Sequence, residues 1–207
     1  MTWAQVGVLA GVVTLVLTAG QLLLRVLTRP RVTLRLDTEP AYSCVEADGW
    51  GYVRLLAHNA RFRRAARGAR VICDGYRRSG EPRSAGVTFG TPSLGWTSGG
   101  PEVVNGALSV PPGVSRSFDL GFLCRREAFD DFQGLTEGDD WMLQLCLHEQ
   151  RIAGNRDALP PGRWIIRLIA TADDAPAITY EVTIEWTAES QTADEALTSV
   201  KASIGRV

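Results

Sequence analysis

The N-terminal segment constrains this chain most, because it is a long stretch without any charged side chain. From Trp3 to Leu24 the sequence reads WAQVGVLAGVVTLVLTAGQLLL, and the first charged residue is Arg25. A helix from Trp3 to Leu27 would be about 36 Å long at ~1.5 Å per residue, enough to cross a hydrocarbon core of about 30 Å. The segment therefore predicts a transmembrane anchor over residues 1–28.

The charges on either side of this segment indicate its orientation. Only Met1 and Thr2 precede it, whereas four arginines follow closely, namely Arg25, Arg29, Arg31 and Arg35. Since positively charged flanks stay on the cytoplasmic side of a membrane, we expect the N-terminus outside and the body in the cytosol. The chain has 21 Arg against 1 Lys, a bias typical of GC-rich bacterial genomes. We therefore expect a single-pass protein of a bacterial inner membrane.

A secretory signal peptide is the alternative to an anchor. Thr18, Ala19 and Gly20 are small residues where a peptidase could cut, although no basic leader precedes the apolar run. In that case the body would be an exported adhesion or ligand-binding module. Its four cysteines, Cys44, Cys73, Cys124 and Cys146, would then pair as disulfides, whereas in the cytosol they would be free thiols.

Small residues recur along the predicted membrane helix. Gly7 and Gly11 form a G-x-x-x-G motif. Small side chains on one helix face allow a second membrane helix to approach closely. A homodimer through Gly7 and Gly11 is therefore a hypothesis.

The body, residues 29–187, is dominated by strand signals. Apolar and polar residues alternate at 31–37 and most clearly in ITYEVTIEWT at 178–187, as in half-buried strands. Further apolar segments bounded by turn residues lie at 51–59, 68–76, 103–110, 115–124, 141–149 and 163–172. Seven or eight strands without a convincing helix between them predict an all-β fold, an immunoglobulin-like antiparallel β-sandwich.

Several short motifs accompany these strands. Pro-Pro-Gly precedes a strand in both LSVPPGVSRSFDL and DALPPGRWIIRL, and the chain also contains RPRVTLRL, the pair His58-Asn59 followed by AARGARVIC, and the pair Gly95-Trp96. Together they resemble a class of bacterial membrane-anchored immunoglobulin-like proteins with no assigned activity. The resemblance spans most of residues 29–187. It implies a sandwich with a cytosolic accessory or recognition role and transfers no functional residues.

Two segments fall outside the strand pattern. The stretch 77–101 is rich in Gly, Ser and Pro and carries Phe89, Leu94 and Trp96, a spacing that favours a loop covering the core. In the alternative, this loop recognises a partner, with Trp96 as the aromatic contact. The polar tail, residues 188–207, begins with a capping-box pattern, which predicts a short amphipathic helix if its apolar face docks and a flexible tail if it does not.

The sequence offers little for catalysis. Catalysis by a nucleophile and a histidine base could use only His58 or His148, and no nucleophile elbow, zinc-protease, Walker A or dinucleotide-binding pattern is present. No C-x-x-C pair exists, and Cys146 with His148 would supply only two metal ligands. We therefore predict a non-enzymatic protein with no cofactor and no metal.

Strand parity suggests structural roles for two of the cysteines. Cys73 should point inward with Val71, and Cys124 should point inward with Phe118, Leu120 and Phe122. Both would then serve as small buried apolar residues.

A basic loop is the main candidate binding site. The run ARFRRAARGAR carries five arginines between two predicted strands, Arg61, Arg63, Arg64, Arg67 and Arg70. Arginines near a cytoplasmic membrane face each gain about 1 kcal/mol from anionic lipid. The same guanidiniums could instead bind a partner's carboxylates or phosphates, or simply be solvated.

An acidic segment offers a further candidate. Six carboxylates lie between two predicted strands, at Glu127, Asp130, Asp131, Glu137, Asp139 and Asp140. Clustered oxygen ligands suit calcium, so a calcium or ligand sensor through residues 127–140 is a third hypothesis. A solvated acidic loop is the simpler interpretation, since the EF-hand spacing is absent.

These patterns favour a non-enzymatic single-pass membrane protein. Its cytosolic β-sandwich would recognise a protein partner or support an assembly at the membrane. Nucleic acid is not an expected partner, because 22 basic residues balance 23 acidic ones.

Overall fold

The structure is a computed structural model, and it describes most of the chain. Elements and contacts below refer to residues 3–37, 51–89, 92–97, 103, 106–125, 141–147, 158–187, 195 and 198–207, with side chains of the first helix described from Gly11 onward.

The chain begins with a long helix, α1 (Trp3–Leu27). From Gly11 to Leu27 every side chain is exposed, including ten Val and Leu residues that are at least half exposed, and burial begins only at Pro30. The helix therefore extends away from the rest of the chain. Across the residues that the structure describes, no helix combines the length and the apolar character needed to cross a membrane. The spanning role predicted for α1 stays a prediction.

Among the described residues eleven strands follow, with a 3-10 turn at Arg83–Ala85. In chain order they are β1 (Val32–Leu36), β2 (Gly51–Asn59), β3 (Ala66–Arg78), β4 (Val87–Thr88), β5 (Leu108–Val110), β6 (Ser115–Arg125), β7 (Trp141–Leu145), β8 (Ala158–Leu159), β9 (Gly162–Thr171), β10 (Ile178–Trp186) and β11 (Lys201–Arg206).

The strands form two antiparallel sheets. The first has the order β1-β2-β6-β7-β8 and the second the order β11-β10-β9-β3-β4, with β5 also paired to β3. The prediction of an all-β sandwich is confirmed, with more strands than the seven or eight expected. The core lies between the sheets because alternate side chains of each strand point inward. In β10 all five predicted inward residues are buried, namely Ile178, Tyr180, Val182, Ile184 and Trp186.

Cysteine positions test the parity argument. Cys73 is fully buried in the main core, opposite Leu168, as predicted. In β6, however, Val53 pairs with Gly121 and Arg54 with Asp119, so Leu120 is an extra residue in a β-bulge. Because a bulge adds one residue to the strand, side chains beyond it point to the opposite face from the one that simple alternation predicts. Cys124 is therefore buried on the opposite sheet face from Phe118, and its predicted inward orientation is wrong.

The end of the chain also differs from expectation. Glu195, Thr198 and Ser199 have helical backbone, but the last residues form β11, which pairs with β10 from Tyr180↔Arg206 to Glu185↔Lys201. The predicted amphipathic helix is thus replaced by a strand over residues 201–206. A strand is favoured here because β10 would otherwise leave the backbone groups of one edge unpaired, and a free strand edge pairs readily with an adjacent extended segment.

Candidate functional site

A large pocket lies where α1 meets the sandwich. It has a volume of about 860 Å³ and is lined by Arg25, Arg29, Pro30, Arg64, Ala65, Arg67, Asp173 and Asp174. These residues come from the end of α1 and the segment after it, from the basic loop with the start of β3, and from the turn between β9 and β10. Three distant parts of the sequence therefore build one basic pocket, called the junction pocket below.

The basic loop is attached to the end of the helix. The backbone N–H of Arg64 donates to the carbonyl oxygen of Thr28 at 2.7 Å, and the Arg63 guanidinium donates to the carbonyl oxygen of Leu27. The last carbonyls of a helix lack partners within the helix, and they carry partial negative charge. The Arg63 guanidinium supplies both a hydrogen-bond donor and a positive charge to these carbonyls. This explains why Arg63 faces the helix while its neighbour Arg64 faces the pocket.

Asn59 connects the helix exit to the sandwich. Its side chain is fully buried. Its Oδ1 accepts from the backbone N–H of Arg31 at 3.3 Å, and its Nδ2 donates to the carbonyl oxygens of Arg64 at 2.7 Å and Val110 at 3.0 Å. One side chain thus ties together the segment after α1, the basic loop and β5. The His58-Asn59 motif has a structural meaning here, and Asn59 is a positioning residue for the pocket.

The third wall of the pocket is the turn between β9 and β10. The backbone N–H of Asp173 donates to the carbonyl oxygen of Arg67 at 2.8 Å. Gly68 follows with a φ of 59°, and a Cβ there would lie 2.5 Å from Oδ1 of Asp173. A side chain at this position would be strained in this backbone conformation and would have to displace the Asp173 carboxylate. Gly68 therefore lets the acidic turn approach the basic loop.

Charge in the junction pocket is unbalanced. Four guanidiniums face two carboxylates, and within the described part of the chain none of Arg25, Arg29, Arg64 and Arg67 has a carboxylate within 4 Å. Some arginines elsewhere on the molecule are paired with carboxylates. Arg77 and Arg83 share Glu181 at 3.6 and 3.2 Å, and Arg167 lies 3.2 Å from Asp74. The junction pocket thus brings together four guanidiniums that no described carboxylate contacts.

The predicted basic site divides in the structure. Arg64 and Arg67 line the junction pocket, and Arg63 binds the helix end. Arg61 is exposed beside the Pro-Pro-Gly turn, where Gly113 approaches it, and Arg70 is exposed in β3 opposite Thr171. Arg25 and Arg29, which the sequence linked only to membrane topology, also line the pocket, Arg25 from the last turn of α1 and Arg29 from the segment after it.

Trp96 lies inside the molecule. It is 6% exposed, its indole N–H donates to the carbonyl oxygen of Gly106 at 3.1 Å, and its ring meets Phe118 edge-on at 5.7 Å. Phe89 and Leu94 of the same segment are also buried. This placement favours the covering role of the segment over recognition by Trp96.

Several predicted features lie partly or wholly outside the described residues. The acidic segment 127–140, His148 and the surroundings of Gly7 are among them, whereas Gly11 has open space around it. In the described part of the chain, no group of three His, Cys, Asp or Glu residues could hold a metal ion.

The described cysteines are free thiols. Cys73 and Cys124 are buried and Cys146 is half-buried. Burial raises the pKa of each of the three thiols to about 12. Such thiols stay protonated and unreactive at neutral pH.

A histidine and a serine also meet on the outer face of the first sheet. Nδ1 of His58 lies 3.0 Å from Oγ of Ser115, its cross-strand neighbour. Nucleophilic catalysis also needs a group that orients the histidine and donors that stabilise an oxyanion. Within the described residues the contact shows no third member, so it reads as a surface hydrogen bond.

Comparison of the chain with protein families, with curated proteins and with solved structures gives no match.

Proposed function

We propose that this protein is a non-enzymatic, single-pass membrane protein that presents its β-sandwich on the cytosolic side, for recognition of a protein partner or for assembly at the membrane. In this view α1 is the anchor and the junction pocket lies at the membrane surface. The sandwich would be immunoglobulin-like, as suggested by a chain that passes from β1-β2 to β3-β4, back to β6-β7-β8, and again to β9-β10 in the other sheet.

The observation that carries the proposal is the contrast between the two sides of Arg25. Before it, an uncharged apolar helix stands clear of the sandwich with its described side chains exposed all round. An apolar surface of this kind needs an apolar environment, which a bilayer provides. After it, Arg25 and Arg29 are held beside Arg64 and Arg67, so arginines concentrate at one end of the helix.

Free thiols support the cytosolic orientation over an exported module. An exported module would gain stability by pairing its cysteines. Cys73 lies in the second sheet between β9 and β5, whereas Cys124 and Cys146 belong to the first sheet, on the face away from the core. Their positions on different layers leave Cys73 without a disulfide partner among the described cysteines.

Two measurements on the full chain in a bacterial host test the proposal. Washing membranes with alkaline carbonate should leave the protein in the pellet, and deletion of residues 3–24 should release it. Because the described native thiols are buried or half-buried, a test of orientation needs a new, exposed thiol as reporter. Ser79→Cys places a thiol in an exposed turn after β3.

This reporter should react with a membrane-impermeant maleimide only after spheroplasts are lysed, relative to the background of the unmodified chain. Reaction in intact spheroplasts would show that the sandwich faces outward. Release of the unmodified chain by carbonate would show that α1 is not an anchor.

A further inference from the structure

The junction pocket is large enough and basic enough to bind an anionic ligand. Its volume of about 860 Å³ lies within the range of about 300–1,000 Å³ that small-molecule sites occupy. We propose that it binds the phosphate group of an anionic phospholipid headgroup. The inference rests on the proposed function, since a bilayer lipid reaches the pocket only if α1 lies in the membrane.

The arrangement of the four arginines is the first argument. Arg25 and Arg29 come from the helix end, and Arg64 and Arg67 from the basic loop, whose backbone is fixed to Thr28 and Asn59. Holding like charges together is unfavourable, and no described carboxylate neutralises them at contact distance. A bound anion relieves this repulsion. Guanidiniums suit phosphate in particular, because their N–H groups match its oxygens in pairs.

The two carboxylates narrow the choice of headgroup. Asp173 and Asp174 line the same pocket. Their oxygens can accept hydrogen bonds, so they suit a ligand that carries hydroxyl groups in addition to its phosphate. Phosphatidylglycerol has both, whereas the quaternary ammonium of phosphatidylcholine offers no donor and would meet the arginines with its positive charge. We therefore choose these two lipids as probe and control.

The position of Phe62 is an independent argument for a bilayer. Phe62 is 88% exposed, in the turn between Arg61 and Arg63, at the foot of α1. An exposed aromatic ring flanked by arginines is typical of loops that rest on a membrane surface, where the ring enters the interface and the cations meet lipid phosphates. The junction pocket and this ring lie at the same end of the helix.

The experiment uses the full chain in a non-ionic detergent. Short-chain phosphatidylglycerol, short-chain phosphatidylcholine and inorganic phosphate are titrated separately, with binding followed by calorimetry. Arg64→Gln with Arg67→Gln removes two pocket guanidiniums, while Arg163→Gln with Arg206→Gln removes two exposed guanidiniums from the second sheet. Unfolding midpoints of both variants confirm that each is folded.

We expect phosphatidylglycerol to bind and phosphatidylcholine not to bind. The pocket variant should bind phosphatidylglycerol about thirty-fold more weakly, the loss expected for two arginines near anionic lipid, and the control variant should stay within about two-fold of the unmodified chain. Competition by inorganic phosphate would support the phosphate site itself. Binding of inorganic phosphate without phosphatidylglycerol would assign the site to a soluble phosphate and overturn the lipid source.

The inference is overturned if phosphatidylglycerol does not bind, or if both variants lose affinity equally, which would indicate general charge attraction. Its failure is separate from that of the proposed function. If the protein resists carbonate but binds no headgroup, the lipid site is wrong and the anchor stands. If a carbonate-soluble chain binds the headgroup, the anchor is wrong and the pocket still binds this ligand.

Discussion

Asn59 offers the sharpest test of how the helix exit is joined to the sandwich. Replacing Asn59 with Ala removes three hydrogen bonds and leaves three backbone groups without their partner, the N–H of Arg31 and the carbonyl oxygens of Arg64 and Val110. At about 1 kcal/mol net for each bond, the free energy of unfolding should fall by about 3 kcal/mol. The cost is large because the Asn59 side chain is fully buried and its hydrogen bond to Val110 is buried with it.

The assay is urea unfolding of the full chain in non-ionic detergent, followed by tryptophan fluorescence. With a slope of about 2 kcal/mol per molar urea, the midpoint of the Ala variant should fall by about 1.5 M. Ser109→Ala is the matched control, because Ser109 is exposed in β5 next to Val110. It should change the free energy of unfolding by less than about 0.5 kcal/mol.

Asn59→Asp separates hydrogen bonding from packing. The side chain keeps its size and its Oδ1 acceptor but loses both N–H donors and sets a negative charge against two carbonyl oxygens. It should therefore destabilise at least as much as Ala. An Asp variant close to the unmodified chain, or an Ala variant indistinguishable from the Ser109 control, would refute the role assigned to the amide.

Two other predictions concern a close backbone contact and the buried thiols. Gly75 has a φ of 152°, and a Cβ there would lie 2.1 Å from the carbonyl oxygen of Val87, so Gly75→Ala should break the β3–β4 pairing and cost about 3 kcal/mol in urea unfolding. Gly80→Ala, with φ of 94° and nothing within 4 Å, isolates the strain and should cost about 1–2 kcal/mol; an equal loss would contradict the steric argument. For the thiols, burial raises the pKa of Cys73 from 9.0 to about 12, so its protonated form stabilises the fold below pH 9, and that contribution is lost as the pH rises from 9 to 12. In Cys73→Ala the urea midpoint should therefore decrease less between pH 9 and pH 12 than in the unmodified chain. An equal decrease in both proteins would mean that burial does not raise the pKa of this thiol.

Much of the fold could be predicted from local pattern. The alternation in β9 and β10 follows from the two-residue period of a strand, and the alternate residues from Trp164 to Ala170 and from Ile178 to Trp186 are buried. The end of α1 also followed from sequence, since Pro30 lacks the N–H that a continuing helix needs. Each of these features depends on neighbours a few residues apart.

Two sequence predictions are wrong, and in each a contact between distant segments overrides the local pattern. Parity placed Cys124 inward, but the extra residue Leu120, opposite β2, turned it to the other face. The C-terminal residues showed a helical pattern, yet the free edge of β10 pairs with them as a strand. In both cases the deciding hydrogen bonds join segments far apart in the sequence.

The junction pocket likewise depends partly on local sequence and partly on contacts between distant segments. The sequence by itself determined that arginines concentrate after the apolar helix and again before β3, and that Gly68 and Asn59 stand near the second group. Only the tertiary structure decided that these two groups, and the acidic turn after β9, face one space. The reason is that Asn59 and the helix-end carbonyls connect segments that no residue spacing relates, so a site built from three parts of the chain exists only once the chain has folded.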